Sequence, residues 1–333
     1  MLKVVVSLFP VFVFLGALIL LDSYKLVKLS SVLWTILAGL IAALASLLIN
    51  EALIGWGKVD EVSYPMYVAP IIEELTKAAY VFYLIKRKKI GFMVDAAIYG
   101  FAVGAGFSFF ENVEYLQTLT SPNIFLWIIR GFGTAVMHGG TTALFAIISK
   151  GLIDRHSSEK TYFFLPGLAT AFVFHSFYNH FFFSPQLSTI IILLSLPTIF
   201  IVVFNQSEKA TRNWLGTGFD TDMEVMELIS AGNLTDSKIG KYLRSLRDRF
   251  PGEVVVDMLC LLRLQIELAM RAKGILLMRE AGFKPGSDPA IKEKFEELSY
   301  LEKSIGKTGH LAIAPFLHTS SRDLWQLYML GKK

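Results

Sequence analysis

Long apolar runs recur along the first two thirds of the chain. Each is about 20 residues long, enough to cross a hydrocarbon core about 30 Å thick as a helix. A backbone inside a bilayer must satisfy its own hydrogen bonds, which restricts spanning segments to helices and closed barrels. We predict about seven spanning helices: residues 4–21, 32–53, 64–85, 92–116, 124–148, 162–183 and 187–204. The predicted fold is therefore all-α, a polytopic transmembrane helix bundle, in a chain that is 53% hydrophobic.

Basic residues are concentrated in alternate loops between these runs. The clusters are Lys25 with Lys28, residues 86–89, Lys150 with Arg155 and Lys160, and Lys209 with Arg212. The opposite loops hold only Lys3 and Lys58. Because positively charged loops stay in the cytoplasm, we predict the N-terminus outside and everything after residue 204 inside. The predicted location is the plasma membrane, which the chain crosses several times.

The tail of the chain is more polar. We predict that residues 205–333 form a helical cytoplasmic domain following a membrane domain of residues 1–204. No convergent set of catalytic side chains is visible in the tail, so we interpret it as an interaction or regulatory module with a partner of its own. The net charge of +4 is mild, and no nucleic acid is expected as a partner. One cysteine, Cys260, excludes an intramolecular disulfide and a multi-cysteine zinc site.

An acidic pair lies inside the predicted span 64–85. Glu73, Glu74 and Lys77 are embedded in apolar sequence, and ionisable groups at membrane depth are costly and usually functional. On a helix Lys77 is four residues from Glu73 and three from Glu74, so one ammonium can reach both carboxylates. Pro70 cannot donate to the carbonyl of Met66, so we expect the helix to bend just before the pair. The alternative interpretation is an ion cluster used only for packing, or glutamates that reach the interface.

Three later spans also carry polar side chains. These are Glu111 with Asn112, then His138, and then His175 with Asn179 four residues further on. At about 1.5 Å per residue, all of the ionisable groups except His138 fall in the outer half of their predicted spans. Spans adjacent in sequence tend to pack together, so we expect these groups to meet in one cavity open to the outside.

A pair of glycines in the predicted span 92–116 indicates where helices pack. Gly100 and Gly104 form a GxxxG pair, which lets another helix approach its backbone closely.

No serine–histidine or cysteine–histidine arrangement is visible in the predicted spans, so hydrolysis there would need an activated water. One glutamate of the pair could act as general base, with a histidine and Asn179 or Asn112 stabilising the oxyanion. Alternatively, Glu111, His138 and His175 could bind a metal ion, with zinc the candidate cofactor. A proton-coupled transporter or channel, or a non-catalytic membrane scaffold, would use the same polar cluster and stays open as an alternative function.

The order and spacing of these motifs resemble those of a known family. The motif residues are Glu73-Glu74-x-x-Lys77, Phe107-x-x-x-Glu111-Asn112, His138, and His175 with Asn179. The set resembles the PrsW family of intramembrane proteases, related to the CAAX prenyl endopeptidase and bacteriocin-immunity group, over about residues 64–204. The resemblance implies cleavage of membrane-anchored proteins, an anti-sigma factor among them, within a lipid bilayer, and a location in a bacterial inner membrane. It also implies that Glu73, Glu74 and His175 are catalytic and that Glu111 and His138 complete the site.

Overall fold

A computed structural model describes most of the chain. The described residues are 1–55, 60, 63–156, 160–180, 182–231, 237–283, 285–286, 288–317, 325–327 and 329–330. Every regular element in this part of the chain is helical, which confirms the predicted all-α class. The chain divides into two compact units, Met1–Glu208 and Lys209–Lys333. The division follows the composition, since the apolar runs lie in the first unit.

The apolar helices belong to the first unit, and the last of them continues past Glu208 into the second unit. They are α1 (Leu2–Leu8), α2 (Pro10–Leu20), α3 (Leu29–Gly55), α4 (Ala69–Lys86), α5 (Met93–Thr118), α6 (Ile124–Ile128), α7 (Ala135–His156), α8 (Leu165–Asn179) and α9 (Pro185–Ser230). Two π-helical segments interrupt this order, Tyr64–Val68 before α4 and Ile129–Thr134 between α6 and α7. A 3₁₀ turn, Thr161–Phe164, leads into α8.

Among the described residues, four helical stretches are long and apolar enough to cross a membrane: α3, α5, the stretch Ile124–His156 and α9. The bent pair of α1 and α2 makes a fifth if it is one span. The predicted spans 64–85 and 162–183 are not among these stretches, and their sequences explain why. Helix α4 carries the acidic pair and lysine, and α8 has only 15 residues. The number of seven spans and the orientation therefore stay predictions.

Two predicted runs have different ends in the structure. The run 4–21 is not one straight helix, because α1 and α2 meet at an angle of 40° beside Pro10, which has no backbone N–H to donate. The run 187–204 lies inside α9, which begins at Pro185, continues through Pro197 and ends only at Ser230. The polar sequence after residue 204 thus continues an apolar helix instead of starting a new one.

Helix α5 lies at the centre of the first unit and packs through glycines on two sides. A Cβ atom at Gly104 would lie 2.2 Å from the carbonyl oxygen of His138 on α7, and Gly100 contacts α7 closely as well. On the other side, a Cβ at Gly106 would lie 2.0 Å from the carbonyl oxygen of Ile36 on α3. The close approach predicted for Gly100 and Gly104 is therefore confirmed, and it fixes α7 against α5 at the level of His138.

The backbone just before α4 departs from the α-helix, at the place where a bend is predicted. The segment Tyr64–Val68 forms a π-helical turn, and Pro70 follows it at the start of α4. The carbonyl oxygen of Met66, which Pro70 cannot pair with, accepts a hydrogen bond from Ser176 Oγ on α8 at 2.6 Å. A side chain of a neighbouring helix thus satisfies the freed carbonyl, as a bilayer requires.

The second unit is helical and has an apolar core of its own. Its helices after α9 are α10 (Lys238–Ser245), α11 (Gly252–Glu280) and α12 (Ala290–Ile313), the last bent at Gly306, whose φ is 64°. Within this unit Lys273 and Asp222 form a buried ion pair of 2.8 Å. The sequence also predicts a short last helix at residues 321–330, which lies partly outside the described residues. The cytoplasmic location and the boundary predicted at residue 204 stay predictions.

Candidate active site

A cavity of about 470 Å³ opens between helices of the first unit. The ionisable side chains on its wall include Glu73, Glu111, Glu114, Arg130, His138 and His175. They come from α4, α5, the π-helical segment Ile129–Thr134, α7 and α8. The cavity also reaches residues at the C-terminal ends of α3, α5 and α8 and at the turn before α4. Side chains scattered over more than 100 residues of sequence therefore share one pocket.

Glu74 is the buried member of the acidic pair. One of its oxygens, Oε1, accepts from Lys77 Nζ at 2.6 Å, Thr141 Oγ1 at 3.2 Å and His175 Nδ1 at 2.7 Å. Because a carboxylate only accepts, this contact requires the proton of His175 on Nδ1. Only 2% of the Glu74 side chain is exposed. Glu74 therefore joins α4, α7 and α8 and sets the orientation of the His175 ring.

Glu73 faces the cavity instead. Its side chain is 17% exposed, and its Oε2 lies 3.6 Å from Nε2 of His175. Adjacent residues of a helix point about 100° apart, which is why one carboxylate is buried and the other faces the cavity. Of the two carboxylates of the pair, Glu73 is the one that a substrate or a water molecule can contact.

Lys77 is fully buried and bonds to Glu74, three residues before it on α4. Its Nζ also lies 3.1 Å from Nδ1 of His138 and 4.8 Å from the centre of the Phe107 ring. The sequence predicts one ammonium within reach of both glutamates. In the structure its direct contact is with Glu74, whereas Glu73 faces His175.

Glu111 and His138 form a second polar pair beside the first. Oε2 of Glu111 lies 3.0 Å from Nε2 of His138, and Oε1 of Glu111 lies 3.1 Å from Nη2 of Arg130. The rings of His138 and His175 are edge to face, with centroids 4.8 Å apart. The structure thus brings together all five side chains predicted to be catalytic.

The two asparagines predicted as supporting residues hold other groups. Asn112 is buried, donates through Nδ2 to the carbonyl of Ser7 at 2.8 Å, and accepts from Arg130 Nε at 2.9 Å. Asn179 lines the cavity and donates to the carbonyl oxygen of Pro65 at 2.9 Å, in the π-helical turn before α4. Their amide groups therefore fix Arg130 and the backbone before the acidic pair.

Sequence reasoning left two residues out of the candidate site, Arg130 and Thr141. Arg130 is the only arginine or lysine in the predicted span 124–148, which holds no carboxylate, and the cost of a charge at that depth is a signal that points to it. Thr141 carries no comparable signal, because threonine is common in membrane helices and its bond to Glu74 comes from a distant helix.

A metal ion finds a suitable donor set in this pocket. Glu73, His138 and His175 offer ligand atoms that all lie within 4.8 Å of one another. This set differs by one carboxylate from the predicted set, since Glu111 is held by Arg130. Two imidazoles and a glutamate are an established zinc set, and a carboxylate on the far nitrogen of a ligating histidine, as Glu74 is on His175, orients such ligands. The donor types therefore fit zinc.

A family of known proteins is similar to this chain over part of its length. No curated protein and no solved structure matches the chain. The PrsW family of intramembrane metalloproteases matches residues 26–205, which is more than half of the chain and includes every candidate site residue. The resemblance recognised in the sequence motifs is thereby confirmed. A peptidase of this kind acts on membrane proteins in a lipid bilayer, and the chain is a membrane-embedded protease that belongs to the PrsW family.

Proposed function

We propose that the chain is an intramembrane endopeptidase that cuts membrane-anchored proteins near the extracytoplasmic side of the bilayer. Its catalytic centre consists of Glu73, Glu74, Glu111, His138 and His175. The observation that carries this proposal is the meeting of carboxylates and imidazoles from four helices on the wall of one cavity. The supporting residues are Lys77, Asn112 and Asn179.

The position of the cavity supports the proposed side of cleavage. It lies toward the end of the bundle where α3, α5 and α8 finish and where α4 is about to begin. The distribution of lysine and arginine predicts that this end faces away from the cytoplasm. A substrate helix must unwind before it can be cut, because its peptide bonds are shielded by their own hydrogen bonds. Water and an unwound strand reach the groups most directly from this end.

The two glutamates of the pair have different proposed roles. Glu73, on the cavity wall, takes a proton from the attacking water as general base, and geometry is the first requirement for that role. Glu74 does not reach the substrate but holds His175 through Nδ1, so that Nε2 faces Glu73. His138 donates through Nε2 to Glu111 and accepts at Nδ1 from Lys77, and these two contacts hold its ring close to Glu73 and His175.

Zinc is the cofactor that the donor set fits, with Glu73, His138 and His175 as the residues that would hold it. When bound, such an ion acidifies water and polarises the scissile carbonyl. Glu74 orients His175 in either form of the site, whereas a metal ion on His138 would replace Glu111 at Nε2 or Lys77 at Nδ1.

For the biological substrate we propose the first cut in a membrane-bound anti-sigma factor, the role implied by the family resemblance. A single-span protein with an extracytoplasmic end suits the proposed side of cleavage. Residues 205–333 would recruit or regulate from the cytoplasm, in a multi-pass protein of the bacterial inner membrane.

The test is cleavage of single-span proteins by the purified chain in lipid vesicles, with the new termini mapped by mass spectrometry. We expect termini in the extracytoplasmic half of the span or just beyond it. Glu73→Gln and Glu74→Gln should each lower the rate by about 10²- to 10⁴-fold, because one removes the base and the other releases His175. Glu51→Gln, the same change at an exposed position of α3, is the matched control and should cut normally.

Three results would contradict the proposal. Near-normal cleavage by both glutamine variants would show that the acidic pair takes no part in catalysis. Termini in the cytoplasmic half would overturn the side of cleavage. Ion or solute flux without any cleavage would favour the transporter.

A further inference from the structure

We propose that Arg130 is a positioning residue of the active site, anchored through Asn112 to the N-terminal helix α1. The inference rests on the proposed function, since it assigns Arg130 to the orientation of Glu111 and, through Glu111, of His138. Its basis is a continuous series of contacts that runs from the carbonyl of Ser7 to the ring of His138.

The guanidinium of Arg130 is fixed on three sides. Its Nη2 lies 3.1 Å from Glu111, its Nε donates to Asn112 at 2.9 Å, and its central carbon lies 3.6 Å from the centre of the Tyr115 ring. A guanidinium carries its donors in a rigid planar fork, so holding Nε and the face also fixes the direction of Nη2. All three contacts are with one helix, α5, while Arg130 itself belongs to the π-helical segment.

Asn112 cannot rotate freely, because its other end is held by α1. Its Nδ2 donates to the backbone carbonyl of Ser7, and Asn112 is only 1% exposed. Helix α1 contacts the π-helical segment directly as well, since a Cβ at Gly131 would lie 1.8 Å from the carbonyl oxygen of Val6. The family match begins at residue 26, so α1 supports the site from outside the matched stretch.

This arrangement decides which oxygen of Glu111 serves His138. Arg130 holds Oε1, which leaves Oε2 directed at Nε2 of His138. A glutamate has several rotamers of similar energy, and a single contact with a histidine would not select one. The ion pair between Arg130 Nη2 and Glu111, a contact of 3.1 Å without the geometry of a hydrogen bond, supplies the second contact, so that His138 is fixed before a substrate arrives.

The first experiment compares Arg130→Met with Arg130→Lys in the cleavage assay. We expect Arg130→Met to lower kcat by about 10- to 100-fold with KM nearly unchanged. Losses of this size are usual for residues that orient a metal ligand or a reacting side chain without contacting the substrate. Arg130→Lys should recover part of the loss, because an ammonium can replace one contact but not the fork. A rise in KM at constant kcat would show that Arg130 binds the substrate, and would overturn the proposal.

A double variant separates positioning from folding. Arg130→Met leaves the Glu111 carboxylate without its cation, whereas Arg130→Met with Glu111→Gln removes both charges. If Arg130 acts through Glu111, the double variant should be no slower than Glu111→Gln alone. A further loss in that background would mean that Arg130 acts on something else. This comparison also holds if Arg130→Met alone folds poorly.

The contribution of α1 is tested with a glycine. Gly131→Ala should push α1 away from the π-helical segment and lower kcat, whereas Gly16→Ala, with open space around its Cβ, should not. Equal activity of both alanine variants would show that α1 does not help to position Arg130. A wild-type chain that cuts no substrate would contradict the proposed function, whereas an active wild type with an equally active Arg130→Met would contradict only this inference.

Discussion

At the scale of single residues, two glutamates that are neighbours in sequence have different surroundings in the structure. Glu73 and Glu74 differ by one position on α4, and one lines the cavity while the other accepts three hydrogen bonds out of contact with it. The position of Lys77 three residues later pairs it with the buried glutamate. A buried ion pair of this kind is worth little in net stability, but losing one partner is costly. The pair therefore constrains the site more than it stabilises the fold.

The metal ligands are a prediction at this scale. We expect about one zinc ion per chain in purified protein, as measured by elemental analysis. Glu73→Gln and His175→Ala should lose the ion, and Glu111→Gln should keep it, because the structure groups Glu73 with the two histidines and pairs Glu111 with Arg130.

The opposite pattern, with zinc lost only in Glu111→Gln, would favour the set predicted from the sequence. A fully active preparation without metal would show that the mechanism uses carboxylates and water and does not need a metal ion. Circular dichroism of each variant serves as the control for folding.

At the scale of elements, glycine contacts set the distances between helices. Gly104 brings α5 against the backbone of α7 beside His138, and Gly106 brings it against α3. Helices in a bilayer associate through such close packing, since no hydrophobic driving force acts between them there. The position of His138 relative to Glu111 is therefore a property of the α5–α7 contact.

Gly104→Ala tests this dependence. The added Cβ would lie 2.2 Å from the carbonyl oxygen of His138, so α7 must shift, and we expect a loss of about 10²-fold in kcat/KM. Gly151→Ala on α7 is the matched control, because its Cβ would make only an ordinary contact of 3.6 Å with Met93. Equal activity of the two variants in the cleavage assay would contradict the argument.

The elements also show what sequence reasoning can predict. Charges at membrane depth, the GxxxG pair and the proline before Glu73 are recognisable because their cost or geometry is local. The bond from Asn112 to Ser7 joins residues 105 positions apart, and no local pattern indicates it. The same limit applies to Arg130: its charge is visible in the sequence, but its partner Glu111 depends on how α5 packs.

At the scale of the whole molecule, the chain consists of two compact units, and the candidate site belongs to the first. The second unit has its own apolar core. Helix α9 is continuous from Pro185 to Ser230, so the sequence boundary predicted after residue 204 falls within a helix. Truncation at that boundary would cut through α9.

We therefore expect a chain that stops after Ser230 to hydrolyse a generic peptide substrate at a rate similar to the full chain, because all candidate catalytic residues remain. Cleavage of the natural substrate should fall if the tail recruits it. The measurement is kcat/KM for both substrates in the same vesicles. A shortened chain that is well folded but inactive on the generic peptide would place an essential group in the tail.

The π-helical turn Tyr64–Val68 has a consequence for how such a chain can vary. A π turn contains one residue more than the α-helical turn it replaces, and each residue of a helix turns the following side chains by about 100°. Deleting one residue from this turn would therefore rotate the acidic pair around the helix axis, away from the histidines, without changing either glutamate. The number of residues in the backbone just before α4 is therefore as restricted as their identity. An insertion or deletion that a loop would tolerate would here rotate the acidic pair about the helix axis.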